Sequence, residues 1–422
     1  MKAVPRLYYN YRRFRKQLAI LAAVIGPGVI VMVADNDAGG ITTYMVTGSK
    51  FTYSFVWVII LLLPVAYTCQ EMCVRLGAIT KRGHAEAIFD AFGSFWGWFS
   101  LTDLTITDVL TIVTEFIGMT AAMSIFGIPP LLTEIFVIIF IMTIVINGRY
   151  WTWEKSVLAL CVVNLIYVPA AFLVHPDLSK VFWTGVVPGF PYGFTGDVIF
   201  LLMANVGTTI APWMIFFHQS SVVDKGLREK DIPYERADTA LGSLFTVVVA
   251  SVLIIVAGTL LAGMKVDSAA TASRLLMPMN SYVGTFVAIG LFDAGLLGAI
   301  AISMTSAWAF GEVFGWSHSL NAKTGQSKWF TLFRLFILVV AASVVLIPGA
   351  PLVTITLFVQ VIAVTLLPAA LTFLILLLNE EELVGKFKNT RRQNVIGGTI
   401  VAVIVVLSTL YGIGTLFPGF FG

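Results

Sequence analysis

The chain has 422 residues, of which 58% are hydrophobic and only 12% are charged, with a formal net charge of +3. Water-soluble domains carry about 25% charged residues, so this composition excludes a soluble globular protein and indicates a polytopic membrane protein. We expect the lipid bilayer to be its main partner. Nothing in the sequence indicates a nucleic acid, a bound cofactor or an obligate protein partner.

Eleven apolar runs are long enough to span a membrane, because crossing ~30 Å of hydrocarbon takes about 20 residues. They lie near residues 19–49, 53–79, 94–125, 130–148, 152–174, 194–222, 237–264, 282–316, 329–347, 350–378 and 394–417. We therefore predict an all-α protein with eleven transmembrane helices, numbered 1 to 11 in chain order. Residues 1–18 form a polar N-terminal segment, and no cleavable signal peptide is evident.

The positions of Lys and Arg predict the orientation of these helices, since short cytoplasmic loops carry the positive charge. With the N-terminus in the cytoplasm, only four of the 26 Lys and Arg residues lie outside, namely Lys50, Lys180, Lys265 and Arg274. We therefore expect an integral plasma (inner) membrane protein with a cytoplasmic N-terminus and an external C-terminus.

Two acidic residues, Asp35 and Asp37, lie in the middle of helix 1. A carboxylate at mid-membrane costs roughly 2.5–3.5 kcal/mol and normally faces a partner, a water-filled cavity or an ion. The stretch around them, residues 35–40, consists of poor helix formers, so we expect an unwound segment with free carbonyl groups that bind an ion. The alternative is a glycine-rich packing contact whose acids pair with a base, but no Lys or Arg is expected at mid-depth in another helix.

A second break is predicted in helix 6, where Pro212 removes a backbone donor and opens the helix near Thr208 to Ala211. An interrupted helix at the same position in each half indicates an inverted-repeat transporter, with its site where the two breaks meet. We expect helices 1–5, residues 19–174, and helices 6–10, residues 194–378, to be repeats of opposite orientation. Helix 11, residues 394–417, is then an addition.

Four motifs occur in order along the chain. Gly26-Pro-Gly28 precedes Asp37-Ala-Gly-Gly40, Gln70-Glu-Met-Cys-Val-Arg-Leu-Gly77 ends helix 2, the run from Gly207 to His218 surrounds the second break, and Gln360 lies in helix 10. In these motifs the chain resembles the NRAMP divalent-metal transporter family. The resemblance implies a LeuT-type 5+5 inverted repeat with broken helices 1 and 6. It also implies transport of a metal ion by alternating access, with no enzymatic activity.

The resemblance further implies which residues form the metal site. Asp37 takes the place of the family's metal-binding aspartate, and Gln360 matches a glutamine that contributes to that site. Backbone carbonyl groups near Ala34 and Thr208 complete the expected ligand set.

Two departures from the family pattern alter the expected substrate. Gly40 stands where the family has asparagine, and Ala211 stands where it has a metal-binding methionine. A thioether suits transition metals, whereas Mg²⁺ prefers oxygen ligands and usually keeps several waters. We therefore expect a wider pocket that takes partly hydrated Mg²⁺, with Mn²⁺ as a second substrate, as in the family's magnesium-transporting branch.

Proton coupling is also expected to be lost. The family's proton route uses a helix 3 aspartate and a helix 6 histidine, and these positions hold Ile112 and Trp213, which do not titrate. We predict uncoupled movement of Mg²⁺ down its gradient. Two alternatives remain open: a proton-coupled Mn²⁺ or Fe²⁺ transporter of the main family type, and, remotely, an intramembrane aspartyl protease, which needs its two acids on separate helices.

Other polar residues receive less specific expectations. Asp35, Asn36 and Asn205 are candidates to bind the ion's water shell, although Asp35 could instead face the outer vestibule. Asp108 and Glu115 share a face of helix 3 and either line a wet cation pathway or form a hydrogen-bonded buried face. His218 is expected to be structural or to line a gate.

Overall fold

The computed structural model describes residues 25–416, except for 147–148, 192, 194 and 323–326. Every regular element in this part of the chain is a helix, which confirms the all-α prediction. Helix 1 is divided into 1a (Pro27–Ala34) and 1b (Ala38–Phe51), and helix 6 into 6a (Gly196–Gly207) and 6b (Pro212–Lys225). The others are helix 2 (Val56–Thr80), helix 3 (His84–Ile125), helix 4 (Pro130–Ile146), helix 5 (Tyr150–Val174), helix 7 (Ile232–Leu260), helix 8 (Ser281–Phe314), helix 9 (Lys328–Val345), helix 10 (Leu352–Leu377) and helix 11 (Arg391–Leu416).

Nine helices of the described residues are long and apolar enough to cross a membrane. Helix 4 is a shorter apolar helix, and the predicted start of helix 1, residues 19–24, lies outside the described residues, as does the predicted N-terminal segment. The count of eleven spans and the division into two repeats therefore stay predictions. Short helices, Leu178–Val181, Ala269–Leu276 and Glu381–Val384, lie in the connections.

Helix 3 begins ten residues earlier than predicted. Its first part starts at His84, and the backbone leaves helical geometry at Gly93, with φ 81° and ψ 176°. This positive φ is accessible to glycine without the penalty that a side chain would incur. The apolar run alone could not indicate this, because the segment before Gly93 carries polar residues typical of a loop.

The helices pack in two groups. Helix 7 lies along both halves of helix 1 and against helix 2, which also contacts helix 6b. Helix 3 lies along helix 8 and contacts helices 9 and 10. Small residues allow the close approach of helices 1 and 7: a Cβ atom on Gly28 would lie 2.8 Å from the Cα of Thr239, and one on Gly48 would lie 2.8 Å from the Cβ of Ala257.

Two basic residues expected in cytoplasmic loops are buried inside the protein. Lys225 lies at the end of helix 6b, where its Nζ contacts Glu154 Oε1 at 2.7 Å. Arg334 is completely buried in helix 9, with its guanidinium 3.4 Å from Ser303 Oγ. The Arg334 guanidinium thus contacts helix 8 and not the acids of helix 1.

Candidate metal ion site

At the break in helix 1, carboxylates accept from backbone N–H groups at the start of helix 1b. Asp37 caps helix 1b by accepting from the Gly40 N–H at 2.7 Å, and the Ala38 N–H donates to Glu115 Oε2 at 2.9 Å. In an uninterrupted helix these two N–H groups would bond the carbonyl groups of Asn36 and Ala34. The predicted unwinding is confirmed, and the Ala34 carbonyl lacks its helical donor, as expected.

Glu115 lies closer to the centre of the site than a pathway residue would. Its carboxyl group lies within hydrogen-bonding reach of Asp37, and both residues pack on Gly298 of helix 8, where a Cβ atom would lie 2.7 Å from Glu115 Cδ and 3.1 Å from Asp37 Cβ. Two buried carboxylates repel each other unless a proton or a cation lies between them. This pair is therefore suited to hold a positive charge.

The break in helix 6 lies where the sequence predicts it. Helix 6a ends at Gly207 and helix 6b begins at Pro212. The Thr208 carbonyl accepts a long hydrogen bond from the Tyr44 hydroxyl at 3.5 Å, whereas the Thr208 hydroxyl has no hydrogen-bond partner among the described residues. A Cβ atom on Gly40 would collide with that hydroxyl, which shows how closely the two breaks approach each other.

Helix 10 brings Gln360 to the same place. A Cβ atom on Gly39 would collide with the Gln360 amide, and the same Cβ would lie 3.3 Å from Asp37 Oδ1. Because Gly39 and Gly40 have no side chains, Gln360 and Thr208 can approach the Asp37 carboxylate. The structure brings together Asp37, Thr208 and Gln360 from three helices.

Several buried polar atoms around the breaks have no hydrogen-bond partner within the described part of the chain. They are Asp35 Oδ2, Asn36 Oδ1, Thr208 Oγ1 and Gln360 Nε2. All four residues are buried, with exposures of 2% or less. Buried polar atoms are normally satisfied, so this concentration of unsatisfied atoms marks a place where an ion or water belongs.

The space expected beside Gly40 is filled in this structure. The side chains of Thr208 and Gln360 occupy the room that a larger residue would take at positions 40 and 39. A partly hydrated ion therefore requires these two side chains to move outward. The sequence could not indicate this, because it names the small residues but not the neighbours that pack on them.

A thioether also lies at the second break. Met214 Sδ accepts from the Ala211 N–H at 3.3 Å, so the sulfur caps the start of helix 6b. Position 211 itself carries only a methyl group, as the sequence analysis noted. The sulfur at the next turn is engaged with the backbone.

The other residues predicted from the sequence contact groups other than Asp37. The Asn205 amide donates to Thr47 Oγ1 at 2.9 Å, ten residues along the chain from Asp37, which ties helix 6a to helix 1b. Asp108 accepts from Ser306, consistent with a hydrogen-bonded buried face on helix 3. Ile112 is fully buried and Trp213 packs on Phe217, so neither position offers a titrating group.

His218 belongs to a polar network that the sequence analysis did not identify. Its Nδ1 contacts Gln70 Oε1 at 2.9 Å, and its Nε2 lies 3.9 Å from Glu235 of helix 7. One turn further on, Asp238 accepts from the N–H groups of Gly28 and Gly26 at 2.7 and 3.0 Å, which caps helix 1a.

Asp35 is buried and therefore not open to an outer vestibule.

One feature of the sequence would have indicated Asp238. Acids at positions 235 and 238, three apart at the start of an apolar run, share a helix face. The apolar run predicted for helix 7 starts at residue 237, so Glu235 precedes it, whereas the helix itself begins at Ile232.

Comparisons with known proteins identify the family of this chain. Residues 28–413 match the family described as natural resistance-associated macrophage protein-like, or Nramp. A divalent metal cation transporter MntH of Caldanaerobacter subterraneus is 25% identical over 399 residues, covering 92% of this chain and 91% of the relative. A natural resistance-associated macrophage protein 2 homolog of Dictyostelium discoideum is 26% identical over 416 residues, covering 93% of this chain and 63% of the relative.

Solved structures show the same fold. A manganese transporter of Eremococcus coleocola, in complex with an aromatic bis-isothiourea substituted compound, superposes with a TM-score of 0.77 at 20% identity, covering 95% of this chain and 88% of that one. MhsT in complex with L-phenylalanine gives a TM-score of 0.61 at 12% identity, covering 91% of this chain and 97% of that one. The architecture is therefore the LeuT-type transporter fold.

The chain belongs to the Nramp family of membrane metal ion transporters. It is not an enzyme, and a metal ion is its substrate.

Proposed function

We propose that this chain moves Mg²⁺, and also Mn²⁺, across the membrane through the site between the two helix breaks. The observation that carries the proposal is the set of unsatisfied buried polar atoms around Asp37 and Glu115. A divalent cation neutralises two carboxylates in an apolar protein interior, where an unpaired charge is costly.

The choice of Mg²⁺ rests on the chemistry of the side chains at the breaks. Asp37 and Thr208 offer oxygen, which hard cations prefer, and Ala211 offers no sulfur. Gln360 offers its amide oxygen once the amide group turns from the arrangement in which Nε2 faces Gly39. Mg²⁺ keeps several waters, so few direct protein ligands suffice.

A second candidate is a proton-coupled Mn²⁺ transporter, and specific observations favour it. The relatives are named divalent metal cation transporters or manganese transporters, and these names favour Mn²⁺. Met214 also places a thioether at the second break, and rotation of that side chain would offer a soft ligand.

The absence of proton coupling rests on two apolar positions. Ile112 and Trp213 are buried and carry no group that exchanges a proton near neutral pH. His218 is separated from such a route by its contacts with Gln70 and Glu235. Transport would then follow the metal gradient and the membrane potential alone.

Alternating access follows from the packing of the helices. Helices 1, 2, 6b and 7 form one group and helices 3, 8, 9 and 10 another. The site lies between the groups, with Asp37 on one side and Glu115 on the other. Rocking of one group against the other opens the site to each side in turn. In the orientation that we propose, the N-terminus is cytoplasmic and the C-terminus is external.

Uptake into proteoliposomes tests the proposal. We expect the wild type to admit Mg²⁺ and Asp37→Ala to reduce uptake to the level of empty vesicles. Glu134→Gln is a matched control, because it removes a buried carboxylate from helix 4, away from both breaks. Retained Mg²⁺ uptake by Asp37→Ala would refute the assigned role.

A further inference from the structure

A second cluster of unsatisfied polar atoms lies between helices 5 and 8. It consists of Asn164 and Tyr167 on helix 5 and Asp293 on helix 8, and all three residues are buried, with exposures of 0%, 0% and 4%. Asn164 and Tyr167 are three residues apart and therefore share a helix face. The Tyr167 ring lies directly on Gly290, one turn before Asp293.

This cluster is separate from the site at the helix breaks. Gly295 of helix 8 packs on helix 3 and faces Ala38. Asp293 precedes Gly295 by two residues, which places it on nearly the opposite face of helix 8 at about 100° per residue. Helix 8 thus presents one face to the metal site and the other to helix 5.

The polar atoms of the cluster lack partners within the described residues. Both amide atoms of Asn164, the Tyr167 hydroxyl and Asp293 Oδ2 make no hydrogen bond. The Asn164 amide lies close to the Asp293 carboxyl group, so one occupant can contact both side chains. A single unsatisfied polar atom costs about 1–3 kcal/mol, so four together indicate a missing occupant.

The backbone of helix 5 is also irregular at this place. The turn Asn164–Ile166 is a 3₁₀ helix within the α-helix. Pro169 has no N–H group and cannot bond the Leu165 carbonyl as an α-helical residue would. Mid-helix irregularities of this kind often occur at functional positions, and loosened carbonyl groups in membrane transporters bind small cations.

We propose that this cluster binds a monovalent cation of the Na⁺ type. The ligands are the Asp293 carboxylate, the Asn164 amide oxygen and the Tyr167 hydroxyl, all hard oxygen donors. The cluster carries one negative charge, so a singly charged ion neutralises it, whereas a divalent ion would leave an excess positive charge inside the membrane. Cys161 lies three residues before Asn164, but its sulfur is not counted among the ligands, because a Na⁺-type ion prefers oxygen.

Thermal unfolding of the purified full-length protein tests the site, with Na⁺ replaced by choline at constant chloride concentration. A ligand that binds only the folded state raises the unfolding midpoint as its concentration rises above its Kd. We expect Na⁺ to raise the midpoint of the wild type. Asp293→Asn and Tyr167→Phe should lose most of that shift, and Glu134→Gln should keep it.

Asp37→Ala separates this proposal from the proposed function, because we expect it to lose metal uptake and keep the Na⁺ shift. An equal midpoint in Na⁺ and choline would overturn the proposal, as would a full shift in Asp293→Asn. A midpoint that responds to pH but not to Na⁺ would also overturn it and would assign the cluster to a proton instead.

If Asp293→Asn does not fold, two other measurements still test whether the cluster binds Na⁺. Tyr167→Phe removes one oxygen at almost constant volume, and binding of radioactive Na⁺ to the wild type is measured directly. We expect binding that unlabelled Na⁺ displaces and choline does not. No displaceable binding would overturn the proposal.

Discussion

Removing the Asp238 carboxylate should release the start of helix 1a from helix 7. Asp238 Oδ2 accepts from the Gly28 and Gly26 N–H groups at 2.7 and 3.0 Å, and Oδ1 accepts from the Val29 N–H at 3.3 Å. Leaving a buried donor unsatisfied costs about 1–3 kcal/mol. With two short bonds lost, Asp238→Ala should destabilise this contact by about 2–6 kcal/mol.

Hydrogen exchange measured by mass spectrometry on the detergent-purified protein is the direct assay. We expect amides of residues 25–34 to exchange faster in Asp238→Ala, with the thermal midpoint also lowered. Asp238→Asn keeps one acceptor oxygen and should show a smaller effect. A surface control is Asp197→Ala, which removes an exposed ion pair with Lys50 worth about 0–1 kcal/mol. Unchanged exchange at residues 25–34 in Asp238→Ala would refute the capping role.

Three further predictions concern the metal site. Ala211→Met should favour Mn²⁺ or Cd²⁺ over Mg²⁺ in competition uptake, because it adds a soft ligand and reduces space; an unchanged ion profile would count against this reasoning. Gly39→Ala places a methyl group against the Gln360 amide, which must then turn away from Asp37, so it should weaken Mg²⁺ affinity at least severalfold in a binding titration, whereas unaltered affinity would remove Gln360 from the site. An inside-negative potential should speed Mg²⁺ uptake, since two charges gain about 4.6 kcal/mol per 100 mV, and a rate independent of potential would contradict uncoupled transport.

The two helix breaks could be predicted from the sequence because their causes are local. Asp37, Gly39 and Gly40 are poor helix formers, and Pro212 removes a backbone donor. Both breaks lie where expected, and the all-helical fold is confirmed. Gln360 could be placed at the site only through the resemblance to the family, since nothing in its own neighbourhood distinguishes it.

The contacts that complete the site could not be predicted, because they are long-range. Glu115 is 77 residues from Ala38, and Asp238 is 210 residues from Gly28. The sequence shows where each acid lies along its helix but not which backbone groups it meets. The position of the Thr208 side chain beside Gly40 could not be predicted for the same reason, since it depends on how closely helices 1 and 6 approach.

The most direct test of the proposed transport reports Mg²⁺ entry and internal pH together in vesicles that contain the purified protein. The account predicts that Mg²⁺ enters without acidification and that Asp37→Ala abolishes its entry. Vesicles that exclude Mg²⁺ and instead admit Mn²⁺ together with protons would contradict the account.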